Sequence, residues 1–423
     1  MNLSLIFSFF ITSIIFNYIN FVNCSLEHNY VPFFITDNLY FVGNNKIFYI
    51  NLKDVPLDNN TIAYASKWFN INVPKSKIDY FQNRPILGGK ANDKIFFMST
   101  SFSENVRLHT FDTTLKKWET NISYQGAPSD SHNFDHITWV SDELTSKSYH
   151  YDGYGHNLTI FDSINLAWIN STSNPQNVSP NFAWYSDFVQ VLSTNDKIFY
   201  IGGALGFTGS KQLMLMSNIL TYDIVSDSWQ INNATGKEIE GRIDHTAVMT
   251  SDKRIIVYGG MNNLRPAFPY LAVLDTSKIP YEWSTPTEEN SIGPITEHSS
   301  IMIKNYMVTA FGRNLSERPS AKYGIKNVYK LDISNPSSYK WSLLATNQSN
   351  SVDNNNSLSS NNSNSNNNSS SNNTEANGVS GLSIRWIVTI FIIVATIIVL
   401  LIFIIYKIIQ RKTGSPNKSF IKY

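Results

Sequence analysis

Residues 241–260 read GRIDHTAVMTSDKRIIVYGG, followed by LAVLD at 271–275 and by Trp283. Two short apolar runs, His245–Thr250 and Arg254–Tyr258, flank the polar turn Ser251-Asp252-Lys253, which is a hairpin pattern. The diglycine Gly259-Gly260 ends the second run, a third run ends at Asp275, and a fourth begins at Trp283. Four short strands within a span of about 40–50 residues make one propeller blade.

The same unit recurs along the chain. Tryptophans stand at 68, 118, 168, 229, 283 and 341, with gaps of 50, 50, 61, 54 and 58. The second strand aligns as KIFYI at 46–50, KIFFM at 94–98, KSYHY at 147–151, KIFYI at 197–201, RIIVY at 254–258 and MVTAF at 307–311. The third strand ends in an aromatic-Asp pair at Phe111-Asp112, Phe161-Asp162 and Tyr222-Asp223, each Asp six residues before its Trp. Leu274-Asp275 and Leu331-Asp332 serve the same place. The spacing predicts six copies, with each Trp marking a fourth strand and supplying a large apolar surface between neighbours. The first copy lacks the aromatic-Asp pair, and Asn51-Leu52 stands where its diglycine is expected. The extra run Val31–Ile35 precedes the first copy and is expected to pair with the edge of the last, closing the ring.

A diglycine after strand two, an aromatic-Asp ending strand three, a Trp about six residues on and Arg242-x-x-His245 entering strand one resemble the kelch repeat. The resemblance covers about residues 38–345 and is fullest in the fifth copy. Beside Gly259-Gly260 the diglycine is intact at Gly202-Gly203, and it becomes Gly312-Arg313, Asp152-Gly153 and Ser99-Thr100 elsewhere. It implies an all-β, six-bladed kelch-type β-propeller, here followed by a disordered stalk and one transmembrane α-helix.

The chain ends set the expected compartment. Residues 3–16, LSLIFSFFITSIIF, have the length of a secretory h-region, so 1–24 reads as a signal peptide cleaved after Cys24. The propeller ectodomain is placed at 25–346. Residues 347–381 are dominated by Asn and Ser and bury too little apolar surface to order, so they read as a stalk. Trp386–Tyr406 is 21 residues without a charge, and the span 384–406 is predicted to cross the bilayer. The tail 407–423 carries Lys407, Arg411, Lys412, Lys418 and Lys422 and no acid, which places it in the cytosol. The expected product is a single-pass type I protein of the plasma membrane or another secretory membrane. Sequons opening at Asn59, Asn121, Asn157, Asn170, Asn177, Asn233 and Asn314 are glycosylation candidates.

The net charge is +1, and no basic cluster in the ectodomain suggests nucleic acid. No P-loop or dinucleotide fingerprint occurs. His132, Asp135, His136, His150 and His156 contain metal-ligand types. However, Asp135-His136, Asp244-His245 and Glu297-His298, with Asp187-Phe188, occupy one repeat position. They read as a recurring structural feature rather than a metal site, and no catalytic, cofactor or metal residue is assigned. The kelch resemblance also implies an enzyme alternative, since galactose oxidase is built on such a propeller. Its radical cofactor needs a Cys–Tyr cross-link, and the one cysteine, Cys24, is lost with the signal peptide. The favoured function is recognition of an extracellular protein or glycan through loops after strand two. These are 204–217, with Phe207 and Lys211, and 261–270, with Arg265, Phe268 and Tyr270.

Overall fold

The computed structural model describes residues 30–43, 46–74, 85–100, 106–127, 139–153, 157–206, 212–316 and 327–346. The chain divides into two compact units, Met1–Val352 and Asp353–Tyr423. All described residues belong to the first. The expected signal peptide, stalk, membrane span and tail lie outside them. Among the described residues no helix is long and apolar enough to cross a membrane.

The described residues of the first unit form successive four-stranded antiparallel groups, called sheets one to six below; parallel pairing joins the fourth and fifth into one continuous sheet and adds a strand to the sixth. Sheet one contains Val31–Ile35, Asn38–Gly43, Lys46–Asn51 and Trp68–Ile71; sheet two Ile86–Gly88, Lys94–Thr100, Val106–Asp112 and Lys117–Ile122. Sheet three contains Val140–Asp142, Lys147–His150, Thr159–Asp162 and Ala167–Asn170; sheet four Tyr185–Leu192, Lys197–Leu205, Asn218–Asp223 and Ser228–Gly236. Sheet five contains Thr246–Met249, Arg254–Tyr258, Leu271–Asp275 and Tyr281–Ser284; sheet six Ser299–Ile303, Tyr306–Ala310, Asn327–Asp332 and Ser338–Thr346. All six repeating tryptophans fall in fourth strands, as the spacing predicts.

The acid ending strand three has a local task. Its carboxylate accepts main-chain N–H groups of the turn that follows: Thr114 and Leu115 on Asp112, Ile164 and Asn165 on Asp162, Ser226 on Asp223, Ser277 on Asp275 and Ser334 on Asp332. This is the side-chain turn that Asp and Asn make well. Asn51 does the same in sheet one, accepting from Lys53 N at 2.8 Å.

That equivalence corrects the alignment of the first copy. KIFYI at 46–50 is the third strand of sheet one, not the second, and Asn51 stands in the aromatic-Asp position rather than the diglycine position. The second strand is Asn38–Gly43. Val31–Ile35 is therefore the first strand of sheet one. It pairs along its whole length with Asn38–Val42 and not with the last sheet. The two-residue turn Thr36-Asp37, with Thr36 at φ 58°, closes this hairpin locally, at far lower loop entropy than a pairing some 270 residues away. Both faces of the strand are used: Phe33 and Ile35 pack toward sheet two, and Phe34 toward sheet six.

The core is divided among the seams. One apolar cluster lies between sheets one and two, and others join two to three, three to four, four to five and five to six. A further cluster joins sheet six to sheet one through Val308, Val328 and Leu344 against Leu39, Phe41 and Ile50. Each tryptophan packs in the seam toward the preceding sheet. Trp283 Nε1 donates to Met216 O at 2.7 Å, and Trp118 Nε1 to Asn72 O at 3.0 Å. At the closing seam Ala63 N donates to Leu344 O (2.9 Å), Thr346 N to Ala63 O (2.8 Å) and Trp68 Nε1 to Thr346 O (3.2 Å). The buried Lys330 ammonium donates to Leu57 O at 2.6 Å and also to Asn59 O.

The chain leaving a fourth strand often runs on to the fourth strand of the next sheet and pairs with it in parallel. Residues 234–236 pair with 281–283, and 287–289 with 338–340, while Gln125 bridges Ala167.

The first glycine of each intact diglycine is required by the neighbouring sheet. Gly202 has φ +64°, and a Cβ there would lie 2.5 Å from His245 Cε1 and 2.7 Å from Arg242 O. Gly259 has φ +66°, and a Cβ would run into Ile295 O and the His298 ring. The acid-His repeat position thus packs His245 against Gly202 and His298 against Gly259. Gly259→Ala combines a strained backbone with a seam clash and should cost about 2–3 kcal/mol. Thermal unfolding checks this, and a melting temperature equal to the parent's would contradict it.

Candidate functional site

The loop 261–270 begins as a small ribbon, Met261–Asn262 against Arg265–Pro266, turning through Asn263 and the fully exposed Leu264. Its base is tied to the entry of sheet five. Ile243 and Met261 exchange backbone hydrogen bonds at 3.0 and 2.9 Å. Beneath it lies Arg242, which is 0% exposed. Its guanidinium donates to three carbonyls: Nη1 to Gly259 O (2.9 Å), Nη2 to Pro269 O (2.8 Å) and Nε to Glu240 O (3.2 Å). Burial pushes its pKa down to about 10, so it stays charged at neutral pH. The arginine of the Arg-x-x-His motif therefore clamps both ends of the loop.

Glu240 completes the clamp. Arg265 Nη1 and Nη2 donate to its two oxygens at 2.8 Å each, a bidentate pair, and Phe268 N donates to Oε2 at 2.9 Å. The Arg265 hydrogen bonds first, and the Phe268 N–H after them, hold its carboxyl below the usual range. Arg265 is thus a tether of the loop, although its side chain remains largely open to solvent.

Phe268 is 63% exposed although its backbone is fixed on both sides, by Glu240 at its N–H and by Glu240 N donating to its carbonyl at 3.1 Å. Its ring meets Tyr270 edge-on at 6.0 Å. The two aromatics wall a cleft of about 380 Å³ that also takes in Lys237, Glu238 and Glu288. Glu288 Oε1 accepts from Tyr258 OH (3.0 Å) and Trp341 Nε1 (2.5 Å), so the cleft floor is anchored in the seam between sheets five and six. Burial, with the Glu288 charge after it, raises the Tyr258 phenol well above its ordinary value and keeps it a donor.

Of the loop residues that the sequence points to, the structure brings Phe268 and Tyr270 onto one cleft and sets Arg265 beside it as a brace. Phe207 and Lys211 lie outside the described residues. Lys237, Glu238, Glu240 and Glu288 are site residues that sequence reasoning misses. Glu240 is legible as the acid two residues before Arg242, whereas Lys237, Glu238 and Glu288 sit on chain between sheets, where the repeat gives no register.

A second cleft, of about 320 Å³, lies between sheets one and two, lined by Tyr49, Phe111, Lys116 and Trp118 among others. The Lys116 ammonium sits 4.7 Å from the Tyr49 ring centre and donates to Tyr40 OH at 2.6 Å.

The acid-His pairs are spread over separate seams. Asp187, Asp244 and Glu297 share a left-handed backbone, φ 59°, 54° and 55°, which supports one repeat position. His298 Nε2 lies 2.8 Å from Thr246 Oγ1, and Glu297 is bound by Arg313. His150 stacks on Trp139 at 4.8 Å. His132, Asp135, His136 and His156 lie outside the described residues. Among the described residues no group of three or more His, Cys, Asp or Glu side chains is placed to hold a metal ion. The seven glycosylation candidates named above are all described: Asn59, Asn121, Asn170, Asn177 and Asn233 are exposed, and Asn157 and Asn314 half-buried.

Sheets packed seam to seam, glycines required by the next sheet and a loop clamped by the motif arginine define a kelch-type β-propeller. Residues 188–364 match the family model described as the KLHDC2/KLHL20/DRC7 Kelch-repeats domain, so the chain contains a kelch-repeat domain. The solved structure titled "Structure of YjhT" is similar in fold. It aligns over 75% of this chain and 97% of its own length, with a TM-score of 0.50 and 10% identity. No curated protein matches the chain in sequence.

Proposed function

We propose that the protein is a recognition module, a six-bladed kelch-type propeller tethered to a secretory-pathway membrane with its propeller on the extracellular or lumenal side. It binds a protein or a glycan with the 261–270 loop and the adjoining cleft. One observation carries this reading: Phe268 is held in place by a buried arginine and a bidentate ion pair, yet its ring faces solvent. Fixing a large apolar ring in advance removes the entropy cost of ordering it on binding. Aromatic side chains on rigid loops are the usual anchors of interfaces. The hydrophobic run at 3–16, the uncharged run 386–406 and the basic tail support the tether.

The full chain in detergent, screened on glycan and protein arrays, should give a ligand whose binding falls at least about tenfold with Phe268→Ala. Because the ring is exposed, stability should stay within about 0.5 kcal/mol of the parent. Full binding by the variant would remove the loop from the proposal.

A further inference from the structure

We propose that the ligand of the Phe268 cleft is a basic segment of a partner protein, held by an arginine side chain. The inference deepens the recognition reading above and rests on it. Charge separates the ligand classes. The cleft is lined by one base, Lys237, and two acids, Glu238 and Glu288, so its lining carries an excess of one negative charge. Among the described residues no hydrogen bond or ion pair engages the side chains of Lys237 and Glu238, or Oε2 of Glu288. Glu240, close by, has both its oxygens taken by Arg265. Glu238 and Glu288 thus have acceptor oxygens to spare and lack the cation that Glu240 has.

Geometry selects the kind of cation. The planes of the Phe268 and Tyr270 rings meet at 78°, so the pair forms a corner rather than a flat platform. A sugar ring stacks best on one open aromatic face. A corner instead suits a slender methylene stem with a planar head, which is the shape of arginine. Its guanidinium is drawn to the face of an aromatic ring and offers N–H donors to a carboxylate at the same time. Glu288 is pinned for that task, because Oε1 accepts from Tyr258 OH at 3.0 Å and from Trp341 Nε1 at 2.5 Å. Oε2 is thereby held in place before any ligand arrives, which lowers the ordering cost of binding. The domain builds the same arrangement from its own residues between sheets five and six. The Arg254 guanidinium lies 6.0 Å from the Tyr339 ring centre, and its Nε donates to Asp252 at 2.8 Å.

Lys237 sets the sign of the test. It lies exposed at the cleft, so it repels an incoming cation and attracts an anion. Removing its charge should therefore tighten a basic ligand and weaken an acidic one, while a neutral glycan should respond little.

The test pans the full chain in detergent against random peptides displayed on phage, with a glycan array beside it. Among selected peptides whose binding needs Phe268, arginine should be enriched. In a synthetic copy of such a peptide, citrulline in place of that arginine keeps the shape and removes the charge. It should weaken binding at least about tenfold. Lysine there should weaken it several-fold, since it lacks the planar fork. On the protein, Glu288→Gln should weaken the arginine peptide about tenfold, Glu238→Gln several-fold, and Lys237→Gln should tighten it several-fold. Glutamine at 288 can still accept from Tyr258 and Trp341, and Lys237 and Glu238 are exposed, so the last two variants keep the test sound if the first folds poorly. Equal binding of the arginine and citrulline peptides, or a Lys237→Gln variant that binds the arginine peptide no better than the parent, overturns this inference and leaves the recognition reading standing. A glycan that needs Phe268, with no peptide that does, has the same meaning. Peptides and glycans that bind the parent no better than Phe268→Ala overturn both.

Discussion

Arg242→Met should lower the unfolding free energy by about 3 kcal/mol or more. The guanidinium is fully buried and binds the carbonyls of Glu240, Gly259 and Pro269, which would then be left without their charged donor. Methionine fills much of the volume but supplies no N–H. Arg242→Lys keeps the charge but replaces a planar fork by one ammonium, and should recover less than half of the loss. The effect should be local as well as global. Hydrogen exchange at Ala267 and Phe268, whose amides bind Gly260 O and Glu240, should quicken more than exchange in sheets one and two. An unchanged urea midpoint in the methionine variant would show that the clamp adds nothing to stability.

Acid should weaken the domain through His245 and His298. Both rings are buried in the seams, at 4% and 7% exposure. Burial first, with the nearby Arg242 and His298 charges after it, holds His245 well below its ordinary value of 6.5. Burial takes His298 down to about 3. The Ile201 and Tyr258 carbonyls that approach the two rings oppose the shift only in part and lie outside strict hydrogen-bond geometry. Below pH 6.5 the unfolded chain therefore binds protons that the folded one refuses. The stability is full above that value and is lost as pH falls toward the folded value, by about 1.4 kcal/mol per pH unit for each ring. Carboxylates such as Asp223, held low by the Ser226 N–H, add a similar trend at lower pH. The comparison is therefore with a variant carrying His245→Phe and His298→Phe, since Phe188 fills the same place in sheet four. Between pH 6 and 5 the parent should lose about 2–3 kcal/mol more than the variant in urea unfolding. Parallel pH profiles would refute the assignment.

The repeat is most legible where the chain keeps its chemistry in register. In sheets four and five the intact diglycines and the Arg242–His245 motif mark strands directly, and the family match begins there, at Phe188. In sheet one the sequence reading slips by one strand, because Asn51 replaces the aspartate and the Trp follows only after a long excursion, Leu52–Lys67. An Asn accepts the same turn hydrogen bonds as Asp, so the geometry persists where the letter changes. The loop aromatics are legible as residue types suited to binding. The clamp beneath them is not, because Glu240, Arg242 and Arg265 meet only when the loop folds back over the sheet entry. The cleft draws on chain from both sides of sheet five, which no period in the sequence connects.

The closing seam has a mechanical consequence. Sheet six ends at Thr346, and that residue is itself a partner of Ala63 and of the Trp68 indole. Any pull on the chain beyond residue 346 loads this joint together with the Asn327–Thr346 pair of sheet six. The Ala63–Ala345 bridge is parallel, so tension along the last strand loads its few hydrogen bonds side by side, in shear. Lys330, gripping the carbonyls of Leu57 and Asn59 from within sheet six, is the latch that shares that load.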